Sequence, residues 1–236
     1  MAERNAKLIL MVGVLGVSAS AILVRFSQAP SGVTAAYRLG WTVLLLLPVV
    51  LLRCRAELRR VTARDLVLCG ASGVLLALHF LTWFESLKRT SVASSTVLVS
   101  TEVIFTAMGF ALFLHGKIPR LGVWAILLAF GGSALLALSG GGGAGGLSGN
   151  LLALAAASAA AVYTLIGRVQ RGHLSTTVYT FLTYLACFLT LLLGTAAAGT
   201  PLTGYGGREW LIGLALAVLC TLLGHSLFSW CLKYLS

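Results

Sequence analysis

Eight long apolar segments occupy most of the chain, and they constrain its fold more than any other feature. A helix needs about 20 apolar residues to cross a hydrocarbon core of about 30 Å, and each segment approaches that length. With 58% hydrophobic and only 10% charged residues, the 236-residue chain is too apolar for a water-soluble domain. The sequence therefore predicts an all-α, multi-pass membrane protein with helices over residues 8–24, 33–52, 66–87, 91–114, 121–139, 149–167, 175–198 and 209–232.

The basic residues predict the orientation of these helices. A net charge of +11 would suggest nucleic acid as the partner of a soluble protein, but most Lys and Arg here lie in short connections between apolar segments. With a cytoplasmic N-terminus, twelve basic residues fall on the cytoplasmic side and five on the other, and RCRAELRRVTARD (53–65) is the strongest segment. The pattern indicates a cell membrane protein with its N-terminus inside. A signal peptide cleaved after SASA is the alternative for the first helix, and seven further helices make an uncleaved helix the simpler interpretation.

A glycine-rich segment, SGGGGAGGLSG (139–149), separates two parts of the chain that resemble each other. VRFSQAPSGVTAAY (24–37) and GRVQRGHLSTTVYT (167–180) each place an arginine before a polar connection. SLKRTS (86–91) and CLKYLS (231–236) repeat at almost the same spacing. We therefore predict three regions along the chain: a five-helix repeat over 1–139, a linker over 140–148, and a second repeat over 149–236.

An odd number of helices in the first repeat has a topological consequence. After five crossings the second repeat must enter the membrane upside down, and such inverted repeats are typical of secondary transporters. The second repeat ends at the counterpart of the third helix, so two further helices are expected after Ser236, which gives eight helices of ten. The surface they would cover could meet lipid or a second copy of the chain, so a homodimer is also an expectation.

Two segments carry a resemblance to a known family. FLTWFESLKRTSVASSTVLVSTEVIFTAMGFALFLHGKI (80–118) resembles the third and fourth helices of EamA-type permeases in the drug/metabolite transporter superfamily. GHSLFSWCLKYLS (224–236) resembles the eighth helix of the same family. The resemblance implies ten helices in two inverted five-helix repeats and the movement of small metabolites, often outward. The family often has Gln or Pro in the middle of the fourth helix, where this chain has Glu102.

Glu102 is the deepest acidic residue of the predicted helices. An ionised side chain there costs about 2.5–3.5 kcal/mol on insertion scales, so it needs a partner or an aqueous cavity. Helical spacing places small and polar residues on the same face, namely Ser91, Ser95, Thr106 and Gly109. Glu102 is thus predicted either to line the transport path, as a proton site or a counter-ion for an amine, or to form a hydrogen bond with a neighbouring helix.

Two histidines and a tryptophan are further candidates for the pathway. His79 and Trp83 lie one turn apart on the third helix, where they could bind a solute by hydrogen bonding and stacking. A packed histidine that shares its proton with a carbonyl is the alternative for His79. His225, on the eighth helix, lies near the position that the repeat equates with His79, which favours a cavity lined by both.

Three other residues lie near the ends of predicted helices. Arg38 could extend to the lipid headgroups or reach inward towards an anion or Glu102. Tyr163 belongs to an interfacial belt or to a gate. Glu85 is predicted to pair locally with Lys88 and Arg89.

The predicted function is a secondary transporter that works by alternating access, without cofactor or metal, and exports amino-acid-like or other amphipathic solutes. A P-loop motif is absent from the sequence, so the energy would come from gradients of the solute or of protons. One rival is an intramembrane serine protease, because GASG (70–73) matches a G-x-S-G pattern and Ser72 with His225 could form a dyad. A membrane scaffold without transport activity is another.

Overall fold

The structure is a computed structural model that describes residues 16, 18–116, 118–138 and 146–225. All regular secondary structure in this part of the chain is helical. The helices are α1 (residues 18–26), α2 (Ser31–Arg53), α3 (Arg55–Leu58), α4 (Ala63–Arg89), α5 (Val92–Val99), α6 (Glu102–Phe113), α7 (Arg120–Leu138), α8 (Gly146–Gln170), α9 (Thr176–Ala197) and α10 (Gly207–Ala215), which continues into a π-helix (Leu216–His225).

Five of the predicted membrane spans are confirmed as helices of sufficient length and apolarity. They are α2, α4, α8, α9 and the combined segment Val92–Phe113. The apolar segment of α7, Arg120–Gly132, is shorter than a full span. The predicted spans 8–24 and 209–232 lie partly outside the described residues, so a total of eight stays a prediction.

The predicted helix over 91–114 is interrupted, which corrects the expectation of one continuous span. α5 ends at Val99 and α6 begins at Glu102. Ser100 Oγ donates to Thr96 O at 2.8 Å and Thr101 Oγ1 donates to Leu98 O at 2.6 Å. Such bonds from hydroxyls back to the preceding turn compete with the helical ladder and bend it. Glu102 consequently begins a new helix inside the span.

α4 is the central element of the bundle, because it packs against both α8 and α9, while α2 packs against α9 and α10. Small residues allow the close approach. Five alanines of α8 are buried, and a Cβ added at Gly73 of α4 would lie 2.7 Å from the backbone nitrogen of Cys187 on α9. Such small-residue contacts are typical of helix association in membranes.

Large apolar side chains are exposed on the outside of the bundle. Leu52 is 84% exposed, Leu121 82% and Leu128 76%, and many others follow the same pattern. In water this much exposed apolar surface would drive association, whereas lipid accommodates it. The protein is therefore a multi-pass membrane protein.

Candidate functional site

Arg38 is the most deeply buried charged side chain of the described residues, with 1% of its surface exposed. It lies two turns inside α2, and its guanidinium faces the interior of the bundle rather than the headgroups. Nε donates to Thr221 Oγ1 at 2.9 Å and Nη1 donates to Ser20 Oγ at 3.1 Å. The guanidinium carbon also lies 4.4 Å from the centre of the Phe80 ring. The expected extension to the headgroups is thus wrong, because hydroxyls of α1 and the π-helix offer partners within the bundle.

Next to Arg38, α4 presents a row of rings. His79 and Trp83 stack with ring centres 5.8 Å apart, and His79 meets Phe80 edge to face at 5.1 Å. His79 Nδ1 lies 3.0 Å from Ala156 O on α8. A carbonyl can only accept, so Nδ1 carries the proton. The expected hydrogen bond from His79 to a carbonyl is therefore present, and pathway lining by His79 and Trp83 stays a prediction.

Trp83 combines deep burial with an unused donor. It is 8% exposed, and its Nε1 has no hydrogen-bond partner among the described residues. A buried indole N–H normally finds an acceptor. Trp83 is thus a donor close to His79 and on the same helix face.

Glu102 is half-buried and faces α8. Its Oε1 accepts a hydrogen bond from Thr164 Oγ1 at 2.8 Å. Gly109, on the predicted small-residue stripe, faces Leu165 of α8, and a Cβ added at Gly109 would clash with the Leu165 side chain. The stripe therefore allows α6 and α8 to pack closely at Gly109. The expected reach of Arg38 to Glu102 is not observed. The Arg38 guanidinium donates to Thr221 and Ser20, and the Glu102 carboxylate accepts from Thr164.

Tyr163 precedes Thr164 and packs between two groups of buried apolar residues. Its carbonyl accepts from the Tyr179 hydroxyl at 3.5 Å, and that hydroxyl lies 2.6 Å from Ser72 Oγ. The serine of the GASG segment, Ser72, thus bonds to Tyr179.

His225 ends the π-helix, but its side chain lies outside the described residues. The predicted dyad of Ser72 with His225 and the predicted cavity lined by His225 and His79 therefore stay predictions.

Two polar clusters lie at opposite ends of the bundle, and sequence reasoning missed both. In the Glu209 cluster, Ser27 Oγ donates to Glu209 Oε2 at 2.6 Å and Lys88 Nζ donates to Ala29 O at 2.8 Å. In the Asp65 cluster, His173 Nε2 donates to Asp65 Oδ1 at 2.6 Å and Gln170 Nε2 donates to the same oxygen at 3.2 Å.

The depth of the site follows from α4, which runs from Asp65 at one end of the bundle to Lys88 at the other. At 1.5 Å per residue, His79 lies about 21 Å from Asp65 and about 14 Å from Lys88 along the helix. The rings and the buried arginine therefore lie well inside the span. Glu85 lies about 9 Å from His79 along α4. It forms the expected pair with Arg89 at 2.9 Å near the end of the helix.

The partners of the two buried charges were only partly visible in the sequence. Thr221 lies one turn before the candidate residue His225, on the same face of the predicted eighth helix. Ser20 belongs to SASA, which was considered only as a possible cleavage site, and Thr164 follows Tyr163 in a predominantly apolar helix. Neither hydroxyl belongs to a pattern that points to a buried charge, so only the packing of the helices identifies these two partners.

Comparison with known proteins gives the following relations. The sequence model of the EamA-like transporter family matches residues 5–138 and again residues 147–236. Among curated protein sequences, none matches the chain significantly. One of the similar solved structures, described as a "Crystal structure of protein", has a TM-score of 0.64 and 19% sequence identity, and the match covers 98% of this chain and 79% of that chain. At that identity the likeness concerns the fold alone.

Proposed function

Since the chain belongs to the EamA-like transporter family, we propose that it is a secondary carrier that exports small amphipathic solutes by alternating access. The solute path runs between the two segments that the family matches and passes Arg38, His79 and Glu102. Along α8, the partner of Glu102 lies about 12 Å from the partner of His79. Amino-acid-like compounds suit a path that offers rings, a cation and an acid. The basic segment 53–65 supports a cytoplasmic N-terminus in the cell membrane.

The observation that carries this proposal is the hydrogen bond between Glu102 and Thr164. The two residues come from different matched segments. They meet about 9 Å along α8 from Gln170, which marks one end of the bundle. Solute and ion sites of inverted-repeat carriers lie near the midplane at such an interface, often beside an interrupted helix. α6 begins at Glu102, so this acid lies at an interruption. A carboxylate held by a single neutral hydroxyl can take up a proton or a cationic group.

The two end clusters support alternating access. The Asp65 cluster joins α4 to the connection between α8 and α9, and the Glu209 cluster joins the connection between α1 and α2 to α10. In the proposed cycle, the hydrogen bonds of one cluster break while those of the other stay formed. Access from the two sides then alternates around a fixed central site.

A transport measurement tests the proposal. The full-length protein is reconstituted into vesicles, and efflux of a panel of labelled amino acids is followed with and without a pH gradient. We expect Glu102→Gln to abolish the dependence on the pH gradient and to slow transport about tenfold or more, which is the size of one hydrogen bond to a charged group.

Glu85→Gln is the matched control, because Glu85 is an acid that pairs with Arg89 at the end of α4. It should transport like the wild type. If Glu102→Gln keeps both the transport rate and its dependence on the pH gradient, Glu102 does not couple solute transport to protons. If the wild type moves no member of the panel under either condition, the carrier proposal gives way to a scaffold.

A further inference from the structure

We propose that Arg38 binds the negatively charged group of the solute, a carboxylate, while the rings of α4 contact its apolar part. This inference rests on the proposed function and specifies the class of solute that the carrier accepts. The site is defined by Arg38, Ser20, Thr221, Phe80 and Trp83, and we call it the Arg38 site. Its residues come from α1, α2, α4 and the π-helix.

The first argument is charge balance. The chain contains six acidic residues, and five of them lie in the described part. Each of these five bonds to a group other than Arg38: Glu57 to Ser175 N, Asp65 to His173, Glu85 to Arg89, Glu102 to Thr164 and Glu209 to Ser27. The sixth, Glu3, lies outside the described residues. Arg38 is therefore a buried cation without a counter-ion from the described chain, and buried charges are normally paired.

The second argument is the geometry of the guanidinium. Its two described side-chain partners, Thr221 and Ser20, are neutral hydroxyls that occupy Nε and Nη1. A guanidinium has five N–H donors in a planar fork, so donors remain for another acceptor. A carboxylate matches this fork with two parallel hydrogen bonds and supplies the missing charge.

The third argument concerns how Thr221 is held. Its hydroxyl donates to Leu216 O at 3.2 Å, five residues earlier in the π-helix, while it accepts from Arg38. The proton of the hydroxyl is thus engaged, and its lone pair is directed at the guanidinium. Here the π-helix orients the arginine.

The rings of α4 define the apolar part of the ligand. Phe80 lies under the guanidinium, and the row continues through His79 to Trp83. The indole N–H of Trp83, which has no acceptor in the described part of the chain, is a second donor for a ligand oxygen. A small carboxylate with an aromatic or branched apolar group satisfies both the cation and the rings.

A binding experiment with three probes of one skeleton tests the inference. The probes are 3-phenylpropionate, 3-phenylpropanol and 3-phenylpropylamine, titrated into the purified full-length protein in lipid nanodiscs and followed by calorimetry. We expect the carboxylate to bind at least about tenfold more tightly than the alcohol or the amine, and Arg38→Gln to weaken only the carboxylate, by about 10-fold to 100-fold. Arg38→Lys, which keeps the charge but loses the fork, should give an intermediate loss.

Arg25→Gln is the matched control, because Arg25 is an exposed arginine that donates to the carbonyl of Leu87. It should bind the carboxylate as the wild type does. A second measurement needs no variant and covers the case in which Arg38→Gln does not fold. The carboxylate should raise the thermal unfolding temperature of the wild type, and the alcohol at the same concentration should not.

The outcomes separate this inference from the carrier proposal. Equal binding of the three probes, carboxylate binding unchanged in Arg38→Gln, or displacement of the carboxylate by chloride at equal concentration would each overturn the Arg38 site and leave the carrier standing. Carboxylate binding that depends on Arg38, in a protein that transports no member of the solute panel, would keep the site and remove the carrier.

Discussion

Arg38 and Glu102 are both charged residues inside the bundle, but the helices around them pack differently. The helices near Arg38 are tightly packed, and Leu39, Phe84 and Cys187 have no exposed surface. Around Glu102, the interrupted pair α5 and α6 buries few side chains, and Val103 is 67% exposed. A rigid surrounding orients a binding group in advance, whereas a loosely packed, interrupted helix can shift. Under the proposed function, this difference favours recognition by the Arg38 region and movement in the Glu102 region.

The largest effect is expected where the Arg38 region is packed most closely. In Gly73→Ala the new Cβ meets the backbone of α9, which cannot rotate away, so we expect a loss of about 1–3 kcal/mol in the free energy of unfolding. Gly70→Ala on the same helix is the control, because a Cβ there meets nothing within 4 Å. Unfolding of the protein in lipid nanodiscs, followed by circular dichroism, measures both. A Gly73→Ala variant as stable as Gly70→Ala would show that α4 and α9 are not closely packed.

A smaller effect is expected for the hydrogen bond that holds Glu102. Thr164→Val removes the hydroxyl and keeps the shape, and we expect a loss of about 0.6 kcal/mol, and at most about 1.7, in the free energy of unfolding. Thr82→Val is a suitable control, because the Thr82 hydroxyl donates to Leu78 O of its own helix at 2.7 Å and this hydrogen bond is exposed. The same unfolding assay measures both variants. Equal losses would mean that the contact with Glu102 adds nothing beyond a local bond.

The smallest effect is expected at Gly109, the close contact of the Glu102 region. A Cβ there meets the end of the Leu165 side chain, which can rotate, rather than backbone. The gain of up to about 1 kcal/mol in helix propensity from Gly to Ala offsets the remaining strain, so we expect almost no change in stability. Gly131→Ala, where a Cβ meets nothing within 4 Å, is the control. A large loss for Gly109→Ala would contradict the looser packing that we assign to this region.

Helices that depend on a long apolar run were predictable, because crossing a bilayer requires length and apolarity that are visible locally. α2, α4, α8 and α9 are of this kind. The interruption before Glu102 was not predicted, because serine and threonine also occur in continuous helices. Only the hydrogen bonds of Ser100 and Thr101 to preceding carbonyls reveal the bend. The pair of Glu85 with Arg89 was predicted because residues four apart on a helix are neighbours in any fold.

The sequence alone showed that this protein belongs in a lipid bilayer, and it located the apolar helices. It also showed the resemblance to a transporter family and the few ionisable residues inside the apolar helices. These follow from composition and spacing along one chain. The tertiary structure decided which helices meet, and so gave Arg38 two hydroxyls and Phe80 instead of the headgroups or Glu102. The physical reason is that a buried charge takes the polar groups that packing brings within reach, and those groups come from helices far apart in the sequence.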